Sequence, residues 1–378
     1  MRERGSKDRT PTRFGQPICA WNMAMRRGGL YLVDVISHFR RLVPSQALFC
    51  AAFCVLGPGC GFVHAGLFGS ADIGTEEFQG IEVLPSARPA GLAGAYTALG
   101  EGISAIGYNP AGLVHEDGHS LYSGSLRYQP DGANAGEVAY SRAWGMSSRV
   151  ALSATYLNFG SGIAGRDENN NPTGELNPSS FYPALTYARA ESDKLQWGAT
   201  LKGAIEDPGS FQGAQTALGV GADAGFQYQP ARNLGLGASV VNAGVKLRGH
   251  SANEATGSGY LPGQFKVGGY LHPPGLERMT VSLDAELPFY NVPALALGYE
   301  YRIIPEWEVR AGTRLDYNDV KNILGWTGAT KSIEQNGSAF KASGGTTLRM
   351  GNADVEYAVQ WWTDLGFVHS ITVSWRVD

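Results

Sequence analysis

From about residue 119 to the end of the chain, apolar and polar residues alternate within segments of about ten residues. The last segment is typical, with Ile371, Val373, Trp375 and Val377 set against Thr372, Ser374 and Arg376. A period of two places successive side chains on opposite faces of a β-strand. The pattern therefore predicts long strands that are apolar on one face and polar on the other.

Turn residues divide this region into about fourteen strands. The predicted strands are 119–128, 135–145, 149–160, 179–190, 195–206, 213–229, 233–244, 261–272, 277–288, 293–303, 307–317, 338–350, 353–363 and 367–377. The long connections, 161–178, 245–260 and 318–337, all follow odd-numbered strands, and the connections after even-numbered strands are short. An even strand count with long loops at one end and tight turns at the other is typical of a bacterial outer-membrane β-barrel.

The charged residues favour the same architecture over a soluble sandwich, which would bury its apolar faces. The polar faces of successive strands carry charges of both signs: Asp284 and Glu286, then Arg302, then Arg310 and Arg314, then Lys341 and Arg349, then Asp354 and Glu356. Such faces suit a wet lumen, where the charges form a ladder of ion pairs across strands or line an ion-selective pore. Tryptophans near the strand ends suggest an interfacial girdle.

The first 65 residues differ from the rest of the chain. They hold nine Lys and Arg against three Asp and Glu, together with all four cysteines, Cys19, Cys50, Cys54 and Cys60. A basic stretch leads into an apolar run, 47–63, and then Val63-His64-Ala65, which predicts an export signal cut near Ala65. A buried core helix and a lipidated Cys60 are the alternatives, and Met23 or Met25 is an alternative start.

Residues 66–118 do not alternate and are rich in glycine and alanine. They are too apolar to hang free in water. The lumen of the barrel formed by 119–378 is the place where they would be covered, as in plugged barrels.

Within this segment, the run SARPAGLAGAYTALGEGISAIGYNPAGL, residues 86–113, resembles the N-terminal hatch of FadL-type outer-membrane transporters. It is also similar to the related PorV and UPF0164 families of exported barrels. The C-terminal AVQWWTDLGFVHSITVSWRV resembles the UPF0164 branch, which is of spirochaete type. The resemblance implies an all-β fold, a barrel of fourteen strands whose lumen holds a hatch of short helices and turns.

The resemblance also implies candidate gating residues. Asn109, Pro110 and Ala111, followed by Gly112, match the turn of the hatch. Gly91 and Gly94 match the tight packing that precedes it. The ligand-binding residues of the transporters cannot be aligned to this chain, so no ligand-binding residue is assigned.

FadL-type proteins carry long-chain fatty acids and other hydrophobic compounds. The resemblance therefore implies passive, hatch-gated diffusion across the outer membrane without a cofactor. The alternative is a PorV-like barrel that does not transport and instead binds partners in secretion or surface assembly. The expected partners are membrane lipid, a hydrophobic ligand such as a long-chain fatty acid and, during biogenesis, the barrel-assembly machinery.

The sequence gives little reason to expect nucleic-acid binding, catalysis or metal binding. A net charge of −4 gives no reason to expect nucleic acid as a partner. No catalytic set is recognised, and the acidic run Asp167–Asn171 departs from a calcium loop at Pro172 and Pro178. His115 and His119 have a spacing of four, but Gly118 lies between them, so turn residues are the favoured interpretation over metal ligands.

Overall fold

The fold is described from a computed structural model, which covers residues 77–116, 118, 120–129, 133–160, 163–166, 172–209, 214–250, 259–317, 340–362 and 366–377. The predicted export signal, the start of the predicted hatch, the acidic run Asp167–Asn171 and the third long loop, 318–337, lie outside these ranges.

Sixteen strands are present in the described part of the chain. The first eight are β1 (Ser120–Tyr128), β2 (Asn134–Ala143), β3 (Ser148–Asn158), β4 (Ile163–Arg166), β5 (Pro172–Leu176), β6 (Ser179–Ser192), β7 (Leu195–Asp207) and β8 (Ala217–Ala231). The other eight are β9 (Leu234–Arg248), β10 (Gln264–Leu271), β11 (Met279–Pro288), β12 (Ala294–Ile304), β13 (Trp307–Asp316), β14 (Phe340–Met350), β15 (Ala353–Trp362) and β16 (Gly366–Val377).

Fourteen of these strands form one closed antiparallel barrel. Each strand pairs with its neighbours along the chain, except that β3 pairs directly with β6. The first strand closes the sheet against the last, with Ser120 opposite Val377. β4 and β5 form a separate hairpin within the connection 161–178, which the sequence predicted as a loop. The predicted strand count and topology class are confirmed.

The barrel has its apolar faces outside and its polar faces inside, as the alternation predicts. On β11, Leu283 is half exposed on the outer face, whereas its neighbours Ser282 and Asp284 are buried. On β16, Trp375 and Val373 are exposed while Thr372 and Ser370 are buried. This distribution is that of a barrel in lipid rather than of a soluble sandwich.

The two ends of the barrel differ as expected. The loop end carries the long connections, and the turn end carries the short ones together with the start of β1 and the end of β16. Trp144, Trp307 and Trp375 are exposed near the turn end. Trp362 differs from the girdle prediction, because it faces the lumen.

Residues 77–116, called the inner segment from here on, form short helical pieces inside the barrel. They are one α-helix, α1 (Ala87–Gly91), and three 3-10 helices, η1 (Gln79–Glu82), η2 (Ile103–Ala105) and η3 (Pro110–His115). Nearly all the apolar side chains of the inner segment are buried; Leu92, Tyr96, Leu99, Ala105 and Tyr108 form one cluster. Among the described residues, no helix is long and apolar enough to cross a membrane.

Candidate functional site

The turn Asn109-Pro110-Ala111 lies at the centre of the inner segment. Asn109 is the N-cap of η3, where its side-chain oxygen accepts a hydrogen bond from the Ala111 amide at 3.1 Å. Pro110 follows at the first helical position, where its missing N–H costs nothing. The side-chain nitrogen of Asn109 donates to the carbonyl oxygens of Thr97 and of Phe226 on β8, both at 2.9 Å. One fully buried amide therefore caps the helix, ties two parts of the inner segment together and joins them to the wall.

Two of the three predicted glycines, Gly91 and Gly112, occupy close-packed positions. At Gly91, the last residue of α1, an added Cβ would lie 2.8 Å from two side-chain carbons of Arg310 on β13. At Gly112 it would overlap the Gly100 carbonyl. Gly94 lies beyond α1 with a φ of 87°, in the left-handed region that glycine tolerates. Gly91 and Gly112 therefore serve close approach, whereas Gly94 serves a turn.

The barrel wall carries a matching set of glycines on its inner face, and we call them the wall glycines. They are Gly198 on β7, Gly225 on β8, Gly237 on β9, Gly298 on β12 and Gly312 on β13. A Cβ at Gly198 would lie 2.5 Å from the Pro110 carbonyl carbon, and a Cβ at Gly312 would lie 2.5 Å from the Leu92 carbonyl carbon. Real Cβ contacts are not this short, so the inner segment is seated against the wall with no spare room.

Buried ion pairs join α1 to β12 of the wall. Arg88 donates two hydrogen bonds to Glu300 on β12, from Nε at 3.1 Å and from Nη2 at 3.0 Å. Burial lowers the pKa of the Arg88 guanidinium, but Glu300, with Tyr96 and Glu101, more than offsets this and raises that pKa well above its ordinary value. Glu300 is also 3.3 Å from Arg310, and Glu308 pairs with Arg349 at 2.9 Å. The sequence prediction of an ion-pair ladder agrees with these contacts.

A cavity of about 290 Å³ lies above the inner segment, toward the loop end. It is lined by three basic side chains, two acidic ones and the rings of Tyr108 and Trp362; we call it the loop-end cavity. Lys266 and Arg314 share Glu286, at 2.9 Å and 2.8 Å. The third basic side chain, Arg127, lies over the Trp362 ring at 5.7 Å and has no carboxylate partner among the described residues. Arg127 is 9% exposed, so the cavity contains a nearly buried cation available for an anion.

A second cavity, of about 320 Å³, lies on the other side of the inner segment, and we call it the turn-end cavity. Arg88, Glu300, Glu308 and Arg349 contribute to its lining, together with Leu99 and Tyr270. Its surface is dominated by charged groups that are already paired. The turn-end cavity therefore suits water better than a hydrophobic ligand.

Two residues of this site were not singled out from the sequence. Arg127 was assigned to a strand, but nothing in the alternation shows that a lumenal cation lacks a partner. Asp284 was assigned correctly to a polar face, yet its bonds to the inner segment depend on tertiary placement. Within the described ranges, no group of three His, Cys, Asp or Glu side chains is arranged to hold a metal ion.

Three comparisons were made with known proteins. No family model matches the chain, and no curated protein matches it. Among solved structures, the chain is similar to the toluene transporter TbuX of Ralstonia pickettii, at 15% identity and a TM-score of 0.51 over 78% of this chain and 99% of that one. The toluene transporter TodX of Pseudomonas putida is similar at 13% identity and a TM-score of 0.52, over 76% and 96% of the two chains.

The monoaromatic hydrocarbon channel CymD is similar at 13% identity, with a TM-score of 0.54 over 78% of this chain and 98% of that one. At such low identities the likeness concerns the fold alone. The fold implied by the FadL-type resemblance is confirmed, and the narrower likeness to the UPF0164 and PorV branches stays a prediction. The chain therefore has the architecture of a FadL-type outer-membrane barrel, with a short segment seated in its lumen.

Proposed function

We propose that this protein is an outer-membrane channel that carries hydrophobic small molecules by passive diffusion past the inner segment, which acts as a hatch. The structurally similar proteins include two toluene transporters and a monoaromatic hydrocarbon channel, which supports the class of ligand. Among hydrophobic compounds, we favour those with a carboxylate head, of which long-chain fatty acids are the expected example.

The choice of a carboxylate rests on the position of Arg127 in the loop-end cavity. A cation that is nearly buried and has no carboxylate partner in the described part of the chain gains most from an anionic ligand. The Tyr108 and Trp362 rings beside it offer apolar surface to the first carbons of an acyl chain. A neutral hydrocarbon would leave the guanidinium without a partner.

Trp362 is a built-in reporter for the test. The full-length protein, purified from membranes in detergent, is titrated with dodecanoate and with toluene while tryptophan fluorescence is recorded. We expect saturable binding of dodecanoate, a loss of at least tenfold in its affinity in Arg127→Gln, and no loss of its fluorescence change in Trp307→Phe. The matched control is Arg302→Gln, because Arg302 lies at the turn end and its side chain is 58% exposed.

The outcomes separate the alternatives. Equal dodecanoate affinity in the wild type and in Arg127→Gln would contradict the carboxylate assignment. Binding of toluene alone would support a hydrocarbon channel instead. Failure of every hydrophobic probe to bind, with the barrel folded, would contradict the transport proposal and favour the partner-binding alternative of the PorV type.

A further inference from the structure

The two cavities lie along the same part of the wall. The loop-end cavity touches β10 at Lys266 and β11 at Glu286, whereas the turn-end cavity touches the same strands at Tyr270 and Thr280. Both cavities also touch β13. The direct path from one cavity to the other therefore runs along β10–β13, past the middle of the wall.

Between the heights of the two cavities, the inner face of the barrel wall carries small side chains around one carboxylate. Asp284 on β11 stands opposite Gly268 on β10 and Ala296 on β12, and Ser282 stands opposite Gly298. A Cβ at Gly268 would overlap a side-chain oxygen of Asp284. Gly268 therefore makes room for the Asp284 carboxylate, and the small residues Ala296 and Gly298 leave space for the inner segment beside it.

The stretch Leu92–Thr97 of the inner segment fills that space, and we call it the crossing loop. Leu92 packs against Gly298, where an added Cβ would be 3.2 Å from the Leu92 Cβ. Ala93 and Gly94 line the loop-end cavity. They have positive φ angles of 58° and 87°, and for alanine this left-handed conformation is unfavourable and persists only when its surroundings hold it.

Asp284 is the wall group that holds the crossing loop. One of its side-chain oxygens accepts hydrogen bonds from the backbone amides of Tyr96 at 2.9 Å and Thr97 at 2.7 Å. Asp284 is 1% exposed, and its other side-chain oxygen has no hydrogen-bond partner in the described part of the chain. Removal of the carboxylate takes away the acceptor that both amides use here, so water would have to enter to satisfy them.

We propose that β10–β13 line a polar conduit and that the crossing loop closes it in this structure. The hydrogen bonds from the loop to Asp284 hold the loop in the closed position. Both mouths of the conduit are lined by charged side chains, so its solutes are small hydrated ions and polar molecules rather than the hydrophobic ligands proposed above. Release of the two amide hydrogen bonds lets the crossing loop leave the glycine-lined wall. Water and ions then pass between the two cavities.

The test is the ionic conductance of the full-length protein in a planar lipid bilayer in potassium chloride, without any hydrophobic ligand. We expect the wild type to remain closed and Asp284→Ala to raise the mean current at least tenfold. Ser282→Ala is the matched control, because Ser282 lies on the same face of the same strand and its buried hydroxyl has no hydrogen-bond partner among the described residues. Its current should equal that of the wild type.

A cross-link identifies the route. Leu92→Cys with Gly298→Cys, in an Asp284→Ala, Ser282→Gly background, places the two Cβ atoms 3.2 Å apart, so a small shift of the crossing loop reaches the separation of about 3.8 Å that a disulfide needs. Ser282→Gly removes the hydroxyl that a Cβ at position 298 would otherwise meet at 2.6 Å. Oxidation should abolish the added current and dithiothreitol should restore it, whereas each single-cysteine variant should be insensitive to both.

Two results would overturn the conduit. One is an Asp284→Ala barrel that shows the heat-dependent gel mobility of a folded barrel but conducts like the wild type. The other is an added current that persists through the disulfide. If Asp284→Ala does not fold, Asp284→Asn keeps the volume while weakening both bonds, and the same criteria apply to it. Because no hydrophobic ligand is present, failure here is distinct from failure of the dodecanoate titration.

Discussion

Replacement of Asn109 by alanine is the sharpest test of how the inner segment is held. The side chain makes three hydrogen bonds at a site that is fully buried. Loss of the N-cap costs about 1 kcal/mol. Each carbonyl left without its donor costs about 1 kcal/mol or more. Thr97 retains a longer bond from Gln227 at 3.4 Å, so we take the lower value for both carbonyls and expect a loss of about 3 kcal/mol.

This loss should be local, because the Asn109 side chain bonds the wall at the Phe226 carbonyl and takes no part in the hydrogen bonds that pair strand with strand. Amide hydrogen exchange with mass spectrometry, on protein in detergent micelles, measures the local opening directly. A loss of about 3 kcal/mol corresponds to exchange about a hundredfold faster, where opening and closing are fast relative to exchange. We expect that acceleration in peptides covering 105–113 and little change in the strands.

Two variants complete the test. Asn109→Asp keeps the shape and the acceptor for Ala111, but its carboxylate faces two carbonyl oxygens, so its exchange should be at least as fast as that of the alanine variant. Asn158→Ala, at the loop end of β3, should leave these peptides unchanged. Exchange within threefold of the wild type in a folded Asn109→Ala barrel would refute the account of this turn.

Three further changes test the packing, the ion pairs and the ionisation of the inner segment. Gly198→Val places a side chain against the Pro110 carbonyl and should sharply reduce the yield of folded barrel on gels, whereas Gly124→Val, where nothing lies within 4 Å of an added Cβ, should not. Arg88→Gln should lower the free energy of unfolding by about 2 kcal/mol in urea titrations in lipid vesicles, whereas Arg189→Gln, in an ion pair with Glu191 whose side chains are 48% and 30% exposed, should change it by less than about 0.5 kcal/mol. Burial raises the pKa of Tyr96 to about 12, whereas an unfolded tyrosine ionises near 10. The neutral form is therefore favoured by folding, so stability should fall from about pH 10 to about pH 12, less steeply in Tyr96→Phe.

The barrel could be predicted from the sequence because its signal is local. Alternation along each strand fixes which face meets lipid, and turn residues mark where each strand ends. Every predicted strand end lies within about four residues of the corresponding end in the structure. The larger differences have a tertiary cause, since the outer part of β9 pairs with β8 as far as Arg248 and bonds the stretch near Gly259 in place of a longer β10.

The sequence could predict that the inner segment lies in the lumen, but it could not predict the contacts of that segment with the wall. Its small residues and the Asn109-Pro110 turn predicted a compact piece in the lumen, yet no periodicity indicates which wall residues it meets. The bonds from Asp284 to Tyr96 and Thr97 join positions about 190 residues apart. The lack of a carboxylate partner for Arg127 among the described residues likewise depends on which carboxylates reach it, and strand alternation does not contain that information.

The wall glycines have a consequence for how this chain tolerates change. On the lipid face, one apolar side chain replaces another with little effect, because lipid adapts to its shape. On the inner face, a methyl group at Gly225 would overlap the Asn109 side chain, and one at Gly237 would lie 2.6 Å from the Thr97 carbonyl oxygen. Substitutions at these positions can succeed only when the facing residue of the inner segment changes as well. Two parts of the chain that lie more than a hundred residues apart are therefore bound to vary together, as the two sides of an interface between separate proteins do.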